Sequence, residues 1–139
     1  MAEMRHVERN IKDVLSHGGF DEIDASIYTA LTLAGEPMTA TEIADGIGYA
    51  YSTTINALNR LIRLGHVSKH RRGRRNIYYP ATDLTGIIQA ELHRFVSLLK
   101  QTAHSIQQLD EQRRQRIDDV LDMVHRSIRF LENTAGGET

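Results

Sequence analysis

Apolar residues recur along most of this chain three and four positions apart, the spacing of one helix face. Val7, Ile11, Val14 and Leu15 mark a short amphipathic helix from Glu3 to Leu15. The run Ser16-His17-Gly18-Gly19 stops it, because paired glycines break a helix. A second helix follows Asp21, a side chain suited to capping free N–H groups. It carries Ile23, Ile27, Ala30, Leu31 and Ala34 on one stripe. Gly35 closes it and Pro37 prevents its resumption. Thr39 and Glu42 then have the spacing of a capping box, flanked by Met38 and Ile43 as a hydrophobic staple. They predict a helix of about two turns ending near Gly46. Gly46-Ile47-Gly48 predicts a tight turn, and a further helix runs from about Tyr51 to Leu64. Its Leu58, Leu61 and Ile62 point inward, and Gly65 ends it. Two short helices joined by a glycine turn form a helix-turn-helix.

After Gly65 the period changes. His66 to His70 and Asn76 to Pro80 read as two strands, the second rich in the β-formers Ile77, Tyr78 and Tyr79. Arg71-Arg72-Gly73-Arg74-Arg75 lies between them as a basic hairpin tip. A hairpin directly after a helix-turn-helix makes a wing. From Asp83 the pattern is helical again to about Glu132. Ile88, Leu92, Phe95, Leu99, Thr102, Ile106 and Leu109 follow a heptad seam, and Ile117, Leu121, Val124, Ile128 and Leu131 a second one. The two are out of phase across Asp110 to Arg116. Asp110 could cap a separate last helix, or one bent helix could run through. A seam needs a partner, so Ile88, Leu92, Phe95, Leu99, Ile106, Leu121, Val124 and Ile128 are expected at a dimer interface. The predicted architecture is mainly α with a small β-hairpin. Residues 1–82 form a winged helix-turn-helix, with the recognition helix over about 51–64 and the wing over about 66–80. Residues 83–134 form C-terminal dimerisation helices, and 135–139 a small polar tail.

Charge sharpens this picture. The chain of 139 residues has 17 basic and 18 acidic side chains, a net of −1. Between Gly46 and Thr82 lie seven of the basic ones (Arg60, Arg63, Lys69, Arg71, Arg72, Arg74, Arg75) and no Asp or Glu. Ten remain elsewhere against the 18 acidic residues, a net of −8. Such segregation makes a local positive field and points to a polyanion. With no cysteine, disulfides and thiolate metal sites are excluded. No apolar run reaches the ~18 residues of a membrane span. The charged first ten residues lack a signal core. A cytoplasmic, nucleoid-associated location is expected.

The charged window coincides with the helix-turn-helix, so duplex DNA is the expected partner. The first turns of a recognition helix enter the major groove, where Tyr51, Ser52, Thr53 and Asn56 would stand. Asn suits bidentate contact with adenine, and Ser and Thr suit phosphates or either base type. Arg60 and Arg63 lie further along, where the helix end passes the DNA backbone. Arg71, Arg72, Arg74 and Arg75 fit a minor groove or flanking phosphates. The bland reading is a capped helix with a solvated basic face. Against it stands the coincidence of the acid-free window with both structural motifs.

Other chemistry finds little footing. Among seven histidines the one i,i+4 pair, His66 and His70, lies beside the basic wing, which disfavours a cation. His93 and His104 are about three turns apart. No metal site is assigned, although metal sensing across a dimer interface stays open. No phosphate loop, zinc-protease motif or nucleophile elbow is present, so no enzyme, catalytic residue or cofactor is expected. Asp118 and Asp119 are adjacent and read as surface charges.

The stretch MTATEIADGIGYAYSTTINALNRLIRLGHVSKHRRGRRNIYYPAT resembles the core of the MarR superfamily, closest to its TrmB-like and GbsR-like branches. "TEIADGIG", "ALNRLIRLGHV" and "GRRNIYYPATDL" carry the resemblance in order and spacing, over about residues 20–90. It implies a dimeric, sequence-specific DNA-binding transcription factor. By position it implies DNA contact by Tyr51, Ser52, Thr53, Asn56, Arg72, Arg74 and Arg75. The C-terminal helical pair is similar in layout to GbsR-like proteins, where it dimerises. Two departures stand out: Ala50 replaces the polar N-cap frequent in the family, and the large effector domain of full-length TrmB proteins is lacking. The expected function is therefore a homodimeric transcriptional regulator, a repressor that occludes a promoter. A small-molecule effector could enter a hollow between dimer helices and winged domain. The alternatives are an architectural protein that coats DNA with low specificity, and a protein-interaction adaptor.

Overall fold

A computed structural model describes residues 2–136. They form, in order, α1 (Ala2–His17), α2 (Glu22–Ala34), β1 (Met38–Thr39), α3 (Ala40–Ile47), α4 (Tyr51–Arg63), β2 (Val67–Arg72), β3 (Arg75–Pro80), α5 (Leu84–Gln107), α6 (Glu111–Arg116) and α7 (Asp118–Gly136). The chain divides after Ile87 into two compact units. The fold is mainly α, with one small antiparallel sheet ordered β1-β3-β2. Among the described residues no helix is long and apolar enough to cross a membrane.

In the first unit, α2 is the central element. α1, α3, α4 and β3 all pack on it. It is therefore buried around most of its circumference, including Asp24, Ser26 and Thr29, and not along the single stripe its apolar spacing suggested. Ala34, placed on that stripe, is exposed. Its ends are fixed as the sequence implied: the Asp21 side chain accepts from Asp24 N at 3.0 Å, and Gly35 turns left-handed at the C-terminus. The core joins Leu15, Ile27, Tyr28, Leu31, Ile43, Leu58, Leu61, Val67 and Tyr78. On α1 only Leu15 is buried, while Val7 and Val14 remain exposed.

The capping box forms in full: Glu42 N donates to Thr39 Oγ1 at 3.2 Å, and Thr39 N donates to Glu42 Oε1 at 2.9 Å. The Thr39 N–H, and the Thr39 hydroxyl donating to the same Oε1 at 3.1 Å, hold the Glu42 carboxyl below its ordinary pKa. The following turn lies later than expected. Gly46 and Ile47 stay helical, and Ile47 packs against the core. Gly48, with φ 76°, ends the helix and donates its N–H to Ala44 O at 2.9 Å. Of the two glycines, only Gly48 needs the left-handed region that side chains disfavour.

Met38 and Thr39 also pair with Tyr78 and Ile77, adding a third strand that the hairpin pattern does not reveal. A two-residue strand is too short to show alternation. After β3, the Tyr28 hydroxyl donates to Thr82 O and ties the strand exit to α2. Burial pushes the Tyr28 phenol above its ordinary pKa. Asp83 caps α5 by accepting from Gly86 N at 3.0 Å. Leu84 and Ile87, on the first turn of α5, pack into the first core, so this unit extends past residue 82.

The second unit is a helical hairpin. Asp110 caps α6, accepting from Arg113 N at 2.9 Å, so the helix breaks there and a single bent helix is ruled out. A second break at Ile117 separates α6 from α7. The core holds Ala103, Ile106, Val124 and Ile128, with Val96, Leu99, Ile117 and Leu121 packed against it. Of the positions expected at a dimer seam, Leu99, Ile106, Leu121, Val124 and Ile128 pack within one chain, and Ala103 rather than exposed Thr102 faces inward. The inward stripe is 96-99-103-106, a helical period shifted from the heptad series. Ile88 and Phe95 remain exposed and Leu92 is half-buried. The helix α7 reaches Gly136, into the expected tail, and 137–139 lie outside the described residues.

Replacing Thr39 by Ala removes the reciprocal cap of α3 and is expected to cost about 1 kcal/mol. A urea unfolding series should show a lower midpoint at unchanged slope. An unaltered midpoint would mean the box contributes nothing.

Candidate nucleic-acid interface

The site is built from α4, the hairpin that follows it, and the turn that precedes it. On α4, Thr54, Ala57, Leu58 and Leu61 are buried. This fixes which side faces outward: Tyr51, Ser52, Thr53, Asn56 and Arg63 are all exposed. Tyr51, the first residue of the helix, is 57% exposed. Ala50 is the N-cap and makes no side-chain cap bond. Thr54 Oγ1 instead donates back to Ala50 O at 2.9 Å. The first turn of α4 thus keeps N–H donors and the positive end of the helix dipole for an outside acceptor.

The wing is tighter than the five-residue tip expected from sequence. β2 and β3 pair from Val67↔Pro80 up to Arg72↔Arg75, leaving Gly73 and Arg74 as a two-residue turn. Gly73 has φ 63° and Arg74 a negative φ, the φ pattern of a type II′ turn with glycine first. Arg71, Arg72, Arg74 and Arg75 are all exposed. Arg72 and Arg75 face each other across the strands, a like-charge pair that costs energy unless an anion intervenes. Among the described residues, none of the four forms an ion pair within 4 Å, nor do Arg63 and Lys69.

Arg60 differs from the rest. Its Nε donates to Asp24 Oδ2 at 3.1 Å and its Nη2 to Asp24 Oδ1 at 2.6 Å, while Asp21 Oδ2 lies 3.6 Å from Nη2. These bonds raise the guanidinium pKa further. The expectation that Arg60 and Arg63 act together is therefore divided: Arg63 is free and Arg60 is engaged on α2. Sequence reasoning missed Asp24 as the partner. The signal was there: Asp24 stands three, four and seven residues before Ile27, Tyr28 and Leu31, so a carboxylate shares the apolar face of α2. A buried carboxylate requires a cation.

His66, where α4 gives way to β2, is half-buried with its ring 5.1 Å from that of Phe20. Burial pushes its pKa down, against a smaller upward pull from the Asp24 charge. His70 is exposed. Among the described residues no three metal-ligating side chains come together.

The model of the family described as "Sugar-specific transcriptional regulator TrmB" matches residues 15–85, slightly more than half of the chain. No curated protein sequence matches. Among solved structures, one described as a transcriptional regulator superposes with a TM-score of 0.65 at 11% identity, covering 96% of each chain. A MepR variant from S. aureus bound to an oligodeoxyribonucleotide gives a TM-score of 0.50 at 18% identity, covering 91% of this chain and 94% of that one. At such identities the likeness is one of fold, and that fold is the winged helix-turn-helix.

The depressed His66 pKa gives a pH dependence of defined sign. Its folded value lies below the unfolded one of 6.5, so protonation favours the unfolded chain. This group's contribution is complete above about pH 6.5 and is lost as pH falls below it. Melting temperatures should therefore drop from about pH 6.5 downward, and His66→Gln should flatten that drop. Parallel profiles for the two proteins would show that His66 is not the group responsible.

Proposed function

The chain belongs to the TrmB family of transcriptional regulators, and from that premise we propose that it is a homodimeric repressor that binds palindromic duplex DNA. The observation that carries the DNA reading is the exposed polar face of α4 joined to a hairpin of unpaired arginines with no acidic residue between Gly46 and Thr82. In this reading Tyr51, Ser52, Thr53 and Asn56 meet base edges and nearby phosphates in the major groove. The uncapped first turn of α4 offers its N–H groups to a phosphate. Arg63 lies along the backbone. Arg71, Arg72, Arg74 and Arg75 hold the flanking phosphates or enter the minor groove, where Gly73 permits close approach. Binding of the oligodeoxyribonucleotide by the similarly folded MepR variant supports the same partner here. Family membership favours a regulator over an architectural protein coating DNA.

Dimerisation rests on the second unit. Ile88, Phe95, Leu98, Met123 and Phe130 are exposed there, with Phe130 at 68%. Leu92, Phe95, Leu99, Met123, Phe130 and Leu131 line one apolar recess. A second copy would cover this surface through a two-fold, self-complementary contact. Two recognition helices held about 34 Å apart would then read two half-sites one DNA turn apart. Repression follows from occupying a promoter.

Two experiments test these assignments. Affinity for a duplex selected by the protein from a random pool should fall steeply between roughly 50 and 200 mM salt. Joint replacement of Arg72, Arg74 and Arg75 by Ala should weaken binding to every sequence and reduce the log–log salt slope by about three. Asn56→Ala should instead lower discrimination at one base position by about 1–3 kcal/mol. Binding that ignores salt would reject the reading, and equal loss from both changes with preference intact would reject the roles. For assembly, Phe95→Asp should convert dimers to monomers in sedimentation. A wild-type protein that sediments as a monomer at micromolar concentration would rule the homodimer out.

A further inference from the structure

Arg60 belongs by spacing to the outward side of α4. Thr53, Asn56 and Arg60 follow at three and four residues, so they share one flank of the helix. Among the described residues, Arg60 is nevertheless the only one of the seven cations in the acid-free stretch that forms an ion pair within 4 Å. The acid comes from α2, 36 residues earlier in the chain. We propose that Arg60 is a positioning residue: through Asp24 it fixes the roll of α4 about its own axis, and thereby the direction in which Thr53 and Asn56 meet the DNA. The proposal rests on the DNA-binding reading above.

Three observations argue for positioning over phosphate contact. First, both oxygens of Asp24 accept from Arg60, at 2.6 and 3.1 Å. A planar fork bound at two points resists rotation in a way a single contact does not. Second, Asp24 is 6% exposed, and its neighbour Asp21 adds a second negative charge 3.6 Å from Nη2. Moving Arg60 to a phosphate would leave a buried carboxylate unpaired, which is strongly unfavourable. A phosphate approaching Arg60 would also meet two carboxylates. Third, the anchor sits on the first turn of α2, the helix on which α1, α3, α4 and β3 all pack. The clamp therefore refers α4 to the element on which the rest of the unit packs.

The geometry makes small errors costly. With side chains, a helix has a radius of about 5–6 Å, so a roll of about 10° carries a side-chain tip about 1 Å. Hydrogen bonds tolerate a spread of only about 0.5 Å. Loss of the clamp should thus erase base discrimination while leaving the unpaired wing arginines to bind phosphate.

The test compares the wild-type chain with Arg60→Gln, Asp24→Asn and the double variant. Binding is measured over a salt series to a duplex selected by the wild type from a random pool and to an unrelated duplex. Each single change should lower the ratio of the two affinities about tenfold, with the salt slope unchanged. The double variant should lose no more than either single, because both remove one shared device. It also carries no buried charge at this position, so it remains measurable if a single variant fails to fold. A salt slope reduced by about one in Arg60→Gln or in the double, with the ratio intact, would make Arg60 a phosphate contact and overturn the proposal. Tighter binding by Asp24→Asn would do the same. Proportional loss on both duplexes would mark a purely structural pair and equally overturn it. Absence of salt-dependent binding by the wild type to any duplex would remove the DNA-binding reading itself, an outcome read without the variants.

Discussion

The burial of α2 on nearly all sides leaves its polar side chains to find partners inside the first unit, and among those buried all but the Thr29 hydroxyl do so. Asp24, Ser26 and Tyr28 all sit in positions closed to bulk water. Each is answered from a different direction. Ser26 Oγ donates to Glu22 O at 2.9 Å within the helix. Tyr28 donates to Thr82 O at the exit of the sheet, and Asp24 accepts from Arg60 on α4. An unmade bond at such a site costs more than a made one gains, so each contact acts as a constraint on placement. Two of them reach the elements that flank the wing: α4 before it and the Thr82 turn after it. The hairpin is thus held at both ends by a helix that itself touches no ligand in the proposed mode of action.

The same logic explains the charge pattern. Six of the seven cations between Gly46 and Thr82 lack an ion pair within 4 Å among the described residues, and Arg72 is set directly against Arg75. Surface ion pairs contribute little to stability, so nothing in folding requires those charges to be neutralised. Nothing in folding requires them to be clustered either, and clustering repels. A hairpin that keeps this repulsion has a use for it when a polyanion supplies the missing charge. The remainder of the chain, with its net of −8, keeps the whole near neutrality. The field is therefore confined to one region, where its reach is about 8–10 Å at ordinary salt.

Much of this was legible from sequence where a local rule decided the outcome. The Asp21 and Asp110 caps, the Thr39–Glu42 box and the left-handed Gly35 depend on residues within four positions of one another. The exposed face of α4 followed from the burial periodicity of Leu58 and Leu61. The misreadings share a cause: they were settled at long range. Gly46 and Gly48 look alike in sequence, and the packing of Ile47 between them carries the helix on to Gly48. β1 exists only because Met38 and Thr39 lie beside Tyr78 and Ile77. The partner that engages Arg60, Asp24, comes from 36 residues earlier in the chain. In each case the deciding neighbour is spatial.

The heptad series on α5 and the stripe that packs within the chain lie side by side on the helix. A straight helix repeats every 3.6 residues, so a strict seven-residue series drifts by about 20° per heptad around it. At about 100° per residue the stripe through Ile88, Leu92, Phe95, Leu99, Thr102 and Ile106 stays within about 40° of one line, and the inward stripe of Val96, Leu99, Ala103 and Ile106 runs about 40° to one side of it. The later part of the heptad series meets α7 within the chain, through Leu99 and Ile106, and Ala103 displaces Thr102 from the inward line. Its earlier part, with Ile88 and Phe95, stays exposed. The core so formed has only Ala103, Ile106, Val124 and Ile128 buried, while Ile88, Phe95, Leu98, Val120, Met123 and Phe130 are exposed around it. Small domains bury little apolar surface and are marginal alone, and this unit leaves six large apolar side chains exposed while fully burying three. Covering them with a second copy would stabilise the hairpin and the assembly by one and the same burial. On that argument, folding of the second unit and the proposed homodimerisation would be a single equilibrium that depends on protein concentration.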